Sequence, residues 1–221
     1  MDFSLSAEQQ MLQETAHRFA QTELPAHARD IENNNAPPNL VLRKRFAEMG
    51  FMGINLPSAY GGAGLGHFEA VLILEELAKI SVAVAFPVFE ASFGPALAIA
   101  HFAPKALQQR ILPQVCSGEM VVAVSMSEPN AGTALTDLKT RGKLSGDKII
   151  INGSKRWCSG GGHADAYVVY CRLSDDPGAK GGRELGRIVV DGFDIANMVD
   201  YLSSLFGVPL DEAALATFLK K

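Results

Sequence analysis

Over the first 115 residues the apolar positions recur at helical spacing. Ser6 with Gln9 forms a capping-box pattern, with Leu5 placed to staple the helix start, and Leu12, Ala16, Phe19 and Ala20 then share one face. Pro25 is expected to bend or end this helix. Asn33-Asn34-Asn35 and Pro37-Pro38 mark a loop. A second helix is expected from about Leu40 to Met49, with Arg43, Lys44 and Arg45 outward and Gly50 stopping it. Gly61, Gly62 and Gly64 break the pattern. A third helix starts near His67, with Val71, Leu74, Leu77 and Ala78 spaced for burial. A fourth is expected over roughly Val84 to Phe102, kinked at Pro87 and Pro95, and a short fifth from about Lys105 to Leu112.

At Val121 the period changes. VVAVS reads as a strand; KTRGKL and KIII, joined by Ser145-Gly146-Asp147, read as a hairpin. Asn152-Gly153 is expected to turn into a strand carrying Trp157, and AYVVYCRL is a further strand. Ile195, Val199, Leu202 and Phe206 return to helical spacing. The fold class is therefore α+β: an N-terminal all-α domain (residues 1–116), a small β-barrel or sandwich-like domain (117–180), and a helical C-terminal tail (181–221).

A formal net charge of −4 argues against a dedicated nucleic-acid binder. Cys116, Cys158 and Cys171 are scattered, and no Cys/His spacing offers a metal cage. The first residues lack a signal-peptide pattern. The longest apolar run, Val82 to Phe89, is shorter than the roughly 20 residues of a membrane span. A soluble cytoplasmic protein is the expectation.

The candidate chemistry lies between Ser125 and Gly160. Two loops rich in hydroxyls and glycine, SEPNAG and RWCSGGG, fall at strand ends, with Trp157 beside them. Backbone amides, small hydroxyls and an indole face suit a flat polar ring such as a flavin better than a bare phosphate. Taken singly, Trp157 reads as core and Glu128-Pro129 as a turn.

Three segments resemble the acyl-CoA dehydrogenase family: LPSAYGGAGLGHFEAVLILEELAK, SEPNAG and IINGSKRWCSGGG, in register over about residues 1–180. The resemblance implies an FAD enzyme of fatty-acid metabolism that removes hydrogens from Cα and Cβ of an acyl-CoA thioester and passes electrons to a flavoprotein acceptor. It implies backbone contacts to the flavin from Val124 and Met126, a hydroxyl contact from Ser127, Trp157 over one ring face, and Ser159 near N5. Thr133 would contact the acyl-CoA, while Ala134 stands where the family has Asp. It also implies a homo-oligomer, or pairing with a longer relative. No catalytic residue is assigned, because the family's glutamate base belongs to a C-terminal helical domain with no counterpart in these residues.

After Lys180 the resemblance read from motifs stops. The tail is also faintly similar to an acyl carrier protein, with Asp191-Gly192-Phe193-Asp194 at the modified motif but no hydroxyl at Gly192. A plain amphipathic pair covering the β domain is the alternative. Three readings stand: an impaired dehydrogenase, a non-catalytic scaffold or interaction protein on the same frame, and a related flavin oxidase or monooxygenase.

Overall fold

The computed structural model describes residues 4–145, 148–173 and 185–191. Six helices come first: α1 (Ala7–Asn34), α2 (Leu40–Glu48), α3 (His67–Ala78), α4 (Val82–Ser92), α5 (Pro95–Phe102) and α6 (Lys105–Cys116). Ser6 closes the expected capping box: Gln9 N–H donates to its hydroxyl (3.2 Å), and its own N–H donates to Gln9 Oε1 (3.0 Å). Asn39 caps α2 through Leu42 N–H.

Four helical expectations are corrected. α1 runs through Pro25 to Asn34. Its buried stripe (Ala16, Phe19, Ala20, Leu24) continues past the proline to Ala28 and Ile31, which also pack on the core. Tertiary burial on both sides holds the helix across one missing N–H. The expected kinked fourth helix is two helices; Pro87 is carried inside α4, while Pro95 opens α5, where its missing N–H has no intrahelical partner to lose. α6 continues through Pro113 to Cys116. On α3, Val71 faces out (48% exposed), and Ala70, Ile73 and Leu77 carry the core face instead.

The strands are β1 (Val122–Ser125), β2 (Arg141–Ser145), β3 (Lys148–Asn152), β4 (Ala166–Arg172) and β5 (Leu185–Asp191). They form one mixed sheet. β5 runs antiparallel along the whole of β4. The other edge of β4 is therefore shared, first by β1 in parallel (Val122↔Ala166 to Ser125↔Val169) and then by the start of β2 (Arg141↔Arg172). β2 and β3 make the expected hairpin. The expected strand through Trp157 is absent: residues 154–158 are irregular, for reasons given below. β5 was not foreseen. The turn at 146–147 and the tail beyond Asp191, including the helical spacing at Ile195 to Phe206, lie outside the described residues.

The helices converge on Phe19, whose ring meets Phe46 at 5.7 Å and Phe51 at 5.5 Å. Val122, Ala166 and Val168 join the same cluster, so helices and sheet share one core. The apolar stretch Val82–Phe102 has the length and composition of a membrane span, more than the sequence reading allowed, but over half of it is buried inside the fold. This shared core places the exit of β1 beside α4, where the candidate site begins.

Candidate functional site

β1 ends at Ser125, and the chain turns within four residues. Glu128 N–H donates to Ala131 C=O (2.8 Å) and Ala131 N–H to Glu128 C=O (3.2 Å), closing a tight reversal over Pro129-Asn130. Proline at the first corner presets the turn φ. The buried Glu128 side chain then fastens three segments. It accepts from Lys139 N–H (2.6 Å), Thr140 N–H (2.9 Å) and the Lys155 ammonium (2.9 Å). Lys155 also donates to Met126 C=O (2.9 Å). Burial works against ionisation of Glu128, but these donors outweigh it and hold its carboxyl at about 2. The Thr140 hydroxyl, close to Glu128, is the first of the groups that lower its pKa, although it finds no well-formed hydrogen bond among the described residues.

This latch explains why residues 154–158 are not a strand. Lys155 is pulled inward to Glu128, and Arg156 N–H donates to Ser127 C=O (3.0 Å). The next residue, Trp157, takes φ +64°, a left-handed conformation unusual for a bulky side chain. Ser125 Oγ–H then donates to Cys158 Sγ (3.3 Å), and Gly161 N–H to Cys158 C=O (2.9 Å). Gly160 lies so near β1 that a Cβ would stand 2.6 Å from the Ala123 methyl. The loop is thus bound to the turn after β1 on one side of the tryptophan and to β1 on the other, and the indole is left 81% exposed.

The expected site residues sort accordingly. Ser127 and Trp157 are brought together through the Ser127–Arg156 bond, and Met126 through Lys155. Val124 lies on β1 in register with Val168, half-buried. Ser159 is exposed two residues past the indole. Thr133 is exposed beyond the Glu128 turn, and no hydrogen bond among the described residues joins it to Trp157. The N–H groups of Met126 and Ser127 and the hydroxyls of Ser127 and Ser159 make no hydrogen bond among the described residues. Free donors beside an uncovered aromatic face fit the polar edge and flat face of a flavin.

Sequence reasoning missed Lys155, Arg156 and Glu90. Lys155 lies within a segment quoted for its family pattern, but its partner is 27 positions away. The Arg156 guanidinium stands over the Trp157 ring, 5.3 Å from its centre. Glu90 of α4 is 6% exposed with no hydrogen-bond or ion-pair partner among the described residues. Burial pushes its carboxyl up to about 7. It lines a small cavity with Met52, Pro87, Val115 and Val122. Burial also raises the Cys158 thiol; the Ser125 bond pulls it down and Glu90 adds to the rise. A thiol so placed stays protonated and is a poor nucleophile.

Residues 6–119 match the acyl-CoA dehydrogenase N-terminal domain, and residues 123–198 the acyl-CoA dehydrogenase middle domain. The second match extends past Lys180 and takes in Asp191–Asp194, which corrects both the early end of the resemblance and the carrier-protein reading of that motif. Mitochondrial isovaleryl-CoA dehydrogenase of Pongo abelii is 33% identical over 203 residues, which cover 90% of this chain and 48% of that protein. A glutaryl-coenzyme A dehydrogenase in complex with glutaryl-CoA superposes with a TM-score of 0.78 at 30% identity, over 86% of this chain and 48% of that one. An acyl-CoA dehydrogenase from Bacillus anthracis complexed with FAD shares the fold, with a TM-score of 0.74 at 24% identity over 85% of this chain and 31% of that one. The chain spans about half the length of the isovaleryl-CoA and glutaryl-coenzyme A dehydrogenases.

Proposed function

Because the chain belongs to the acyl-CoA dehydrogenase family, we propose that it contributes the flavin-holding part of a site that oxidises an acyl-CoA thioester between Cα and Cβ. The observation that carries this reading is Trp157, an 81% exposed indole held at positive φ beside unused donors. A fold rarely keeps a strained backbone under an exposed tryptophan without a ligand for it.

In this reading the backbone of Val124 and Met126, the hydroxyls of Ser127 and Ser159 and the indole of Trp157 would hold the FAD ring, and Thr133 would meet the acyl-CoA. FAD, when bound, supplies the hydride acceptor. The strap of Glu128 and Lys155 holds the loop and takes no part in proton transfer, since Glu128 is already ionised and bonded on both oxygens. The base that takes the α-proton is not among these 221 residues; a longer relative paired with the chain supplies it, and a flavoprotein takes up the electrons. Without that relative the chain is a catalytically idle homo-oligomer, in the cytoplasm.

The test is gel filtration of the purified 221-residue chain after incubation with FAD, followed by turnover of short acyl-CoA thioesters with a dye acceptor. Flavin absorbance eluting with the protein, together with negligible turnover, supports the proposal. Elution free of flavin at saturating FAD overturns the cofactor assignment, and turnover at ordinary enzyme rates overturns the external base.

One observation favours a second reading, an interaction protein. Phe86 and Phe89 of α4 and Phe93 just after it form a row, with ring centres 5.5 and 6.1 Å apart and Phe89 41% exposed. Co-elution with a longer dehydrogenase subunit and no retained flavin favours that reading.

A further inference from the structure

The Arg156 guanidinium lies over one face of the Trp157 indole, 5.3 Å from the ring centre. Trp157 is 81% exposed, so its other face remains open to a flat ligand. No carboxylate forms an ion pair with Arg156 among the described residues, so its charge is not neutralised locally. Its backbone N–H is separately engaged with Ser127 C=O (3.0 Å). The side chain can therefore be exchanged without cutting the bond that sets the loop.

We infer that Arg156 is a positioning and charge-tuning residue: it backs the indole as the outer layer of a guanidinium–indole–ligand stack and favours a ligand that carries or gains negative charge. The inference rests on the flavin reading above. A cation on a tryptophan face is attracted by the ring quadrupole, which fixes the orientation of an otherwise mobile exposed side chain. A flavin that accepts a hydride gains negative charge at its N1/O2 edge. A fixed cation behind the stacking partner, too far to contact the ring, favours that form through space. Arg156 acts through Trp157 and touches no reacting atom.

The chain has a single tryptophan, so its intrinsic fluorescence reports on this stack. The experiment titrates the chain with FAD by Trp157 quenching and measures the two-electron midpoint potential of the bound flavin, for wild type, Arg156→Met and Arg156→Lys. Far-UV circular dichroism establishes that each variant is folded. Arg156→Met is expected to weaken FAD binding about two- to fivefold, the size of an exposed cation–π contact. It is also expected to lower the reduced-to-oxidised affinity ratio about threefold, roughly 15 mV to more negative potential for a two-electron couple. Arg156→Lys restores most of both, and added salt narrows the difference in potential. Quenching in wild type with identical affinity and potential in Arg156→Met overturns this inference and leaves the flavin reading standing. No quenching by FAD in wild type overturns both.

Discussion

At the scale of single residues, two side chains near the site are set by the fold in opposite ways. Trp157 combines positive φ with an exposed indole, and neither contributes to packing. Replacing it with Asn, which tolerates the left-handed region, is expected to leave stability unchanged or raise it by about 1 kcal/mol. The same change is expected to abolish FAD retention. Urea denaturation beside the gel-filtration assay checks both, and a loss of more than about 2 kcal/mol would instead make Trp157 a packing residue. Glu128 is the opposite case, a carboxylate whose ionised form the fold requires. Glu128→Gln removes the charge that Lys155 and two backbone amides share. The expected loss is about 3 kcal/mol at neutral pH, read from the denaturation midpoint.

At the scale of elements, proline placement shows how burial overrides local preference. Pro25 and Pro113 both lie inside helices that continue past them, and Pro95 starts one. Gln21, whose carbonyl would receive the missing N–H at position 25, is exposed, so water can replace that bond. Pro25→Ala restores the hydrogen bond in a backbone that is already helical. A gain of about 1–2 kcal/mol is expected, or a Tm rise of about 2–4 °C for each kcal/mol. A fall in Tm would show that the proline ring's own packing outweighs the backbone term. The hairpin of β2 and β3 and the strand β4 were legible because turn residues and β-branched runs signal them locally. The loop carrying Trp157 was not, because its shape comes from Glu128 and Ser125, some 30 positions earlier.

At the scale of the whole molecule, the buried carboxylates give the stability profile two limbs of opposite sign, with Glu128 and Glu76 on the acid side and Glu90 on the other. The folded pKa of Glu128 is depressed to about 2 against an ordinary 4.5, so its contribution is present above about 4.5 and lost as pH falls toward 2. That of Glu90 is raised to about 7, so the folded state favours the neutral acid. Its contribution is present below about 4.5 and lost as pH rises toward 7, where the unfolded chain is already ionised. Glu128 and Glu90 are each worth about 3 kcal/mol. Stability is therefore expected to peak near pH 4.5–5. Glu90→Gln should flatten the upper limb, stabilise the protein at pH 8, and leave the acid limb intact. Chemical denaturation from pH 3 to 8 tests this, and an unchanged upper limb in the variant would remove Glu90 as its source.

Hydrophobic period, capping and turn chemistry are properties of neighbouring residues, so the sequence by itself determined the order of helices before strands, most element positions, and the turn at Glu128-Pro129. It also presented Trp157 and Ser127 as candidates, because their segments resemble the motifs of the acyl-CoA dehydrogenase family. Only the tertiary structure decided that a carboxylate at 128 would clasp a lysine at 155, that the indole would project from a left-handed residue, and that Arg156 would lie across it. The same holds for Glu90, whose lack of a partner is visible only once α4 is packed against β1. These features arise from contacts between residues distant in the chain, and the energy of such contacts depends on burial, which no local pattern encodes.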